Sequence, residues 1–147
     1  MAVRLTEADE SAVPMEHRMQ GLDGLKYDAN GLIPAIIQDT DTGEVLMMAY
    51  MNKHSLEESL RTGKTHFWSR SRQKYWMKGE SSGHTQEIRE VFIDCDVDTI
   101  LMKVKQNGAA CHEGYKNCFF RKLDSATGDW AVTAPRLVDP DSVYGTK

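Results

Sequence analysis

The chain is poor in cysteine and proline, and it holds no long apolar stretch. Cysteine occurs three times, at Cys95, Cys111 and Cys118. An odd, small number in a chain without an export signal excludes a disulfide framework and leaves free thiols. The longest unbroken apolar run, residues 45–51, falls far short of the roughly 20 residues a membrane helix needs. Residues 1–7 lack the apolar core of a signal peptide, so a cytoplasmic protein with no membrane partner is expected. With only 4 prolines, 11 glycines and no internal repeat, a collagen-like or coiled-coil fibre is excluded. What is present is 147 residues, 40% hydrophobic and 27% charged, with a net charge of −4. That suits one globular domain spanning residues 1–147.

Residues 1–24 carry acidic and polar, helix-compatible sequence with Pro14 in the middle, and read as a peripheral appendage, one helix broken at the proline. From Ile33 the texture changes. Residues 34–38 predict a strand, Asp41-Thr42-Gly43 a turn, and residues 44–50 the returning strand. Asn52 can cap a helix running through Leu56 and Leu60 to a stop at Gly63. Further strands are expected at 65–69, 75–78, 87–93, 99–105 and 119–123. In the fourth of these, alternation aims Ile100, Met102 and Val104 at the core. Residues 124–147 are polar with two prolines, and predict a peripheral segment that wraps the surface or frays. The fold class is α+β, mainly antiparallel sheet with one clear helix.

Chemistry concentrates in two regions. Residues 61–78 hold six basic side chains and no acidic one, leaving the rest of the chain at −10. Phe67, Trp68, Tyr75 and Trp76 are interleaved with Arg70, Arg72, Lys74 and Lys78. The simpler reading is an edge hairpin with solvated cations and core aromatics. Phosphate contacts with base stacking are the functional one, for single-stranded nucleic acid or for a small nucleotide. The acidity of the whole chain disfavours nucleic acid. Gly79-Glu80-Ser81-Ser82-Gly83 follows at once, with backbone donors able to surround a phosphate.

The second region is Asp94-Cys95-Asp96-Val97-Asp98 together with Cys111-His112 and Cys118. Three carboxylates form a hard, oxygen-only set suited to Mg²⁺, while thiolates prefer a softer ion such as Zn²⁺. A regular strand would hold Asp94 and Asp98 roughly 13 Å apart, so a shared cation requires the chain to bend there. Taken singly, each cysteine reads as a buried, inert thiol, and His17 and His54 as structural histidines. Three thiolates with one open position would instead activate water. His112 sits beside Cys111, where adjacent residues chelate one ion awkwardly, so it is expected to move protons.

Four segments in order carry a resemblance. They are Phe67-Trp68-Ser69-Arg70-Ser71-Arg72, then Trp76 to Gln86, then Asp94 to Asp98, then Cys111-His112 with Cys118-Phe119-Phe120-Arg121. Together they resemble the phosphoribosyl-AMP cyclohydrolases of histidine biosynthesis, over about residues 31–123. The resemblance implies hydrolytic opening of the adenine ring of phosphoribosyl-AMP between N1 and C6. It also implies an intertwined homodimer, with zinc held by Cys95 of one subunit and by Cys111 and Cys118 of the other. Magnesium would sit on Asp94, Asp96 and Asp98. His112 would be catalytic, and Trp68, Arg70, Arg72, Lys78 and Glu80 would bind the nucleotide. Only 24 residues follow Leu123, too few for the second domain of fused members, so a monofunctional form is expected. A zinc-stabilised nucleic-acid-binding module is the competing expectation, although three aspartates facing a polyanion count against it.

Overall fold

The computed structural model describes residues 2–4 and 20–141. Pro14 and His17 lie outside the described residues, but at the two ends of the expected appendage residues 2–4 form a strand on the sheet edge and residues 20–24 a 3-10 turn in place of an α-helix. In chain order the elements are β1 (Ala2–Arg4), a 3-10 turn (Gln20–Gly24), β2 (Leu32–Asp39), β3 (Val45–Asn52), α1 (Lys53–Thr62), β4 (His66–Ser69), β5 (Lys74–Met77), β6 (Gln86–Ile93), β7 (Ile100–Gln106), β8 (Arg121–Leu123) and β9 (Trp130–Val132). The frame is a five-stranded sheet in the order β1–β6–β7–β2–β3, with β4–β5 and β8–β9 as separate hairpins. All pairings are antiparallel except β2 with β7. Between β2 and β7 the chain runs through β3, α1, the β4–β5 hairpin and β6, so that β7 returns in the same direction.

Period-2 alternation buries Ile100, Met102 and Val104 as expected, and does the same in β2. Ile33, Ala35 and Ile37 of β2 are fully buried, as are Met102 and Val104, with Ile100 at 2% exposure. They meet Leu46, Met51, Leu56, Leu60 and Phe67 in one core. Helix α1 begins where Asn52 predicts it. The Asn52 carboxamide accepts from the Ser55 amide at 2.8 Å, and the Ser55 hydroxyl accepts from the Asn52 amide at 2.9 Å. The helix stops at Gly63, whose φ of 77° suits a residue without a β-carbon. The strand expected at 119–123 is shorter, because Phe120 turns inward to stack on Tyr115 at 3.7 Å. Of the two expectations for the tail, residues 124–141 wrap the surface and do not fray. Asp124 closes a turn by accepting from the Ala126 and Gly128 amides, and β9 then pairs back on β8. Among the described residues, no helix is long and apolar enough to cross a membrane.

Candidate active site

Beyond β7 the chain forms a tight loop that carries Cys111, His112 and Cys118. The loop is closed by its own backbone, Ala110 N–H donating to Lys116 C=O at 2.9 Å and Cys111 N–H to Tyr115 C=O at 3.1 Å. It is fastened to the sheet by Cys118 N–H on Leu46 C=O at 2.7 Å, and by Lys116, whose ammonium lies 3.0 Å from both Asp39 and Glu44. These anchors bring Cys111 and Cys118 close enough for the charge of one to oppose ionisation of the other. Cys118 is exposed as a residue, but desolvation at its sulfur pushes the thiol up to about 11, and negative charge at Cys111 adds to the rise. The Glu113 amide donates to the Cys111 sulfur at 3.4 Å. Two crowded thiols whose ionisation is opposed in this way form a donor pair that a soft cation would complete.

Lys78 lies against this pair. It is 8% exposed, and its ammonium donates to the Ala110 carbonyl. Burial lowers its pKa, while the adjoining Cys118 and Cys111 sulfurs work the other way. The Lys78 charge is thus committed to the thiol end of the site.

A cleft of about 790 Å³ opens beside the loop, lined by Arg72, Lys74 and Trp76 of the basic hairpin, Lys78, His112 and Arg136, with Gly79, Ser81 and Ser82 among the rest. That volume suits a nucleotide-sized ligand. Gly79 is indispensable to its shape. With φ at 84°, a β-carbon there would lie 2.5 Å from the His84 carbonyl carbon and the Thr85 nitrogen. Of the nucleotide-binding residues expected from sequence, Arg72 and Lys78 line this cleft. Trp68, Arg70 and Glu80 are not in its lining. Trp68 packs edge-on against Tyr75, and Arg70 lies 4.0 Å above the Tyr50 ring. His54 packs on Tyr75, as a structural histidine would.

The aspartates lie elsewhere, in the turn between β6 and β7. Val97 there has φ 57°, a left-handed conformation that a β-branched residue rarely adopts. It bends the chain, so that ligand oxygens of Asp94, Asp96 and Asp98 all come within 4.8 Å of one another. The Asp98 and Thr99 amides donate to Asp94 at 3.0 and 3.2 Å. Desolvation works to raise the Asp94 pKa, but such hydrogen bonds outweigh it and hold it low; the Asp96 side chain holds that of Asp98 high. Mutually repelling carboxylates with hard oxygen donors fit a divalent cation.

Cys95 sits in the same turn and is exposed. It precedes β7 while Cys111 follows it, and the seven residues of that strand put roughly 20 Å between the two places. Among the described residues, the one group of three or more potential metal ligands that converges is the aspartate trio. One chain therefore brings two of the three thiols together and leaves the third at the far end of a strand.

Comparison with known proteins decides the family. The phosphoribosyl-AMP cyclohydrolase profile matches residues 47–120. A protein of that name from Pelotomaculum thermopropionicum is 56% identical over 126 residues, covering 86% of this chain and 97% of its own. One from Methanococcoides burtonii is 55% identical, covering 86% and 100%, and one from Thiobacillus denitrificans 52%, covering 84% and 96%. The chain belongs to the phosphoribosyl-AMP cyclohydrolase family. Membership favours an enzyme over the nucleic-acid-binding module.

Within this cyclohydrolase, sequence reasoning missed Arg136 and Lys74 as cleft residues. Lys74 stood in the basic run but outside the resemblance as carried over residue by residue. Arg136 carried no signal. It reaches the cleft because the Leu137 and Val138 amides both donate to the Gly114 carbonyl, at 2.7 and 3.2 Å.

Proposed function

We propose that this chain hydrolyses phosphoribosyl-AMP at N1–C6 in the cleft beside Cys111 and His112, as a homodimer carrying zinc and magnesium. One observation carries the reading: a single tight loop holds Cys111, His112 and Cys118 together and sets His112 in a nucleotide-sized cleft lined also by Arg72, Lys74 and Lys78. Cys111 and Cys118 would hold zinc, with Cys95 of a second subunit as the third thiolate. When bound, zinc supplies Lewis acidity that lowers the pKa of water towards about 7. Asp94, Asp96 and Asp98 would hold Mg²⁺.

The chain's own residues do the remaining work. Arg72 and Lys74 bring positive charge to the phosphates, and the Trp76 ring offers a flat face to the base. His112, exposed at the cleft, accepts a proton from the attacking water and delivers it to the departing N1. The buried Lys78 cation balances the thiolates and fixes the Ala110 carbonyl, and so the start of the ligand loop.

Two features support the dimer. The third thiol of the site stands a strand's length away in its own chain. Phe119 and Trp130, 60% and 66% exposed, lie beside Cys118, and Leu123 and Val132 of the same hairpin are exposed too, an apolar surface of the kind that association covers. Three free thiols, two of them beside a proposed metal, support a reducing, cytoplasmic setting. The test is metal analysis of the purified protein with an absorbance assay of ring opening. Stoichiometric zinc and turnover are expected, and both should vanish in Cys111→Ser and Cys118→Ser. Full activity in a zinc-free double variant would end the reading.

A further inference from the structure

We propose that Arg136 is a phosphate-binding residue of the cleft, so that the C-terminal segment is part of the substrate site. The inference rests on the nucleotide reading above. Residues 133–138 lie beyond the part of the chain that the family profile matches, and they are fixed in place. Thr133 N–H donates to Phe120 C=O at 2.8 Å, Arg136 bridges Tyr115 in antiparallel register, and the next two amides close on Gly114. The Gly114 backbone, at φ 94°, passes so close that a β-carbon would stand 2.2 Å from the Val138 carbonyl oxygen. The backbone of Arg136 is thus held against the loop that carries Cys111 and His112.

Its side chain is oriented but uncommitted. The guanidinium lies 5.5 Å from the centroid of the Tyr115 ring, and Tyr115 is itself 9% exposed and stacked on Phe120. It forms no ion pair with a described residue. An arginine steadied on an aromatic face at a cleft, with no described residue accepting from its five side-chain donors, suits bidentate capture of a phosphate. The division of charge supports this. Lys78 is tied to Ala110 and the thiols, which leaves Arg72 and Lys74 on the hairpin and Arg136 on the tail. Two separate cationic segments match a ligand with a phosphate on each of two riboses.

The experiment uses the full chain with its metals, as wild type, Arg136→Gln and Arg136→Lys. Calorimetry measures binding of AMP and of ribose 5-phosphate, each of which carries one of the two phosphates. KM and kcat are measured with phosphoribosyl-AMP. Losing one charge-assisted phosphate contact should weaken one of the two ligands about 10- to 100-fold in Arg136→Gln. The other ligand should stay within about twofold, and KM should rise by the same factor with kcat little changed. Arg136→Lys should recover much of the loss, and the melting temperature should not move. Unchanged binding of both ligands, or equal weakening of both with a lower melting temperature, would overturn the assignment. The expected binding pattern in a protein that does not open the ring would instead remove the ring-opening reading and leave Arg136 standing.

Discussion

Replacing Gly114 by alanine tests whether the tail is built into the site. The new β-carbon would lie 2.2 Å from the Val138 oxygen, and would have to recede by about 0.8 Å to reach the closest approach that real contacts show. The residue also sits at φ 94°, where a side chain costs about 1–2 kcal/mol. Either the clash stays, or the tail lifts and surrenders the bonds from Leu137 and Val138. Each such bond is worth roughly 0.5–1.5 kcal/mol, so release is the cheaper course. The expected total is a loss of about 2–5 kcal/mol in urea unfolding. Amide exchange at 137 and 138 should accelerate by at least tenfold, while the β7 amides keep their protection relative to global stability. KM for the nucleotide should rise, since Arg136 leaves with the tail. A Gly114→Ala protein with wild-type stability and slow exchange at both amides would refute the reasoning.

Asp96→Asn should raise the magnesium requirement or abolish turnover while zinc content stays normal; loss of zinc first would refute the division into hard and soft sites. His112→Ala should keep its zinc and lose roughly 10²-fold or more in rate, with one limb of the pH–rate profile altered. Equal loss of zinc would make His112 a ligand. Asp39 is buried, and desolvation works to raise its pKa. The Asp41 amide, the Lys116 ammonium and the Thr42 hydroxyl outweigh that and hold it below the usual value. A depressed folded pKa adds stability above the unfolded value near 4, and that stability is lost as pH falls through the folded value. Asp39→Asn should therefore cost about 1–3 kcal/mol at pH 7, and the difference from wild type should shrink below about pH 4.

The sheet was legible because its signals are local. Alternation in 100–104 and the Asn52–Gly63 helix limits follow from spacing and capping alone. The bend at the aspartates was legible as a condition, since three carboxylates on a straight strand could not share an ion. Val97 as the residue that makes the bend was not, because nothing in a valine announces a positive φ. The seat of the tail was not legible for a related reason. Polar sequence with two prolines carries no mark of the carbonyl at Gly114 that accepts its amides, nor of the missing β-carbon that lets it approach. The separation of Cys95 from the other two cysteines was visible in outline, with a strand expected between them. That β7 stays straight, and so keeps them apart, needed the fold.

The central claim is a zinc site completed by a second subunit, and mixing defective chains tests it most directly. Inactive Cys95→Ala and inactive Cys111→Ala proteins are combined and allowed to exchange subunits after mild denaturation. In a two-fold dimer with shared sites, each hybrid gathers both defects in one site and leaves the other intact. Random pairing makes half the dimers hybrid, so about a quarter of wild-type activity and of bound zinc should return. No recovery, with exchange verified by mass spectrometry, would contradict the shared site.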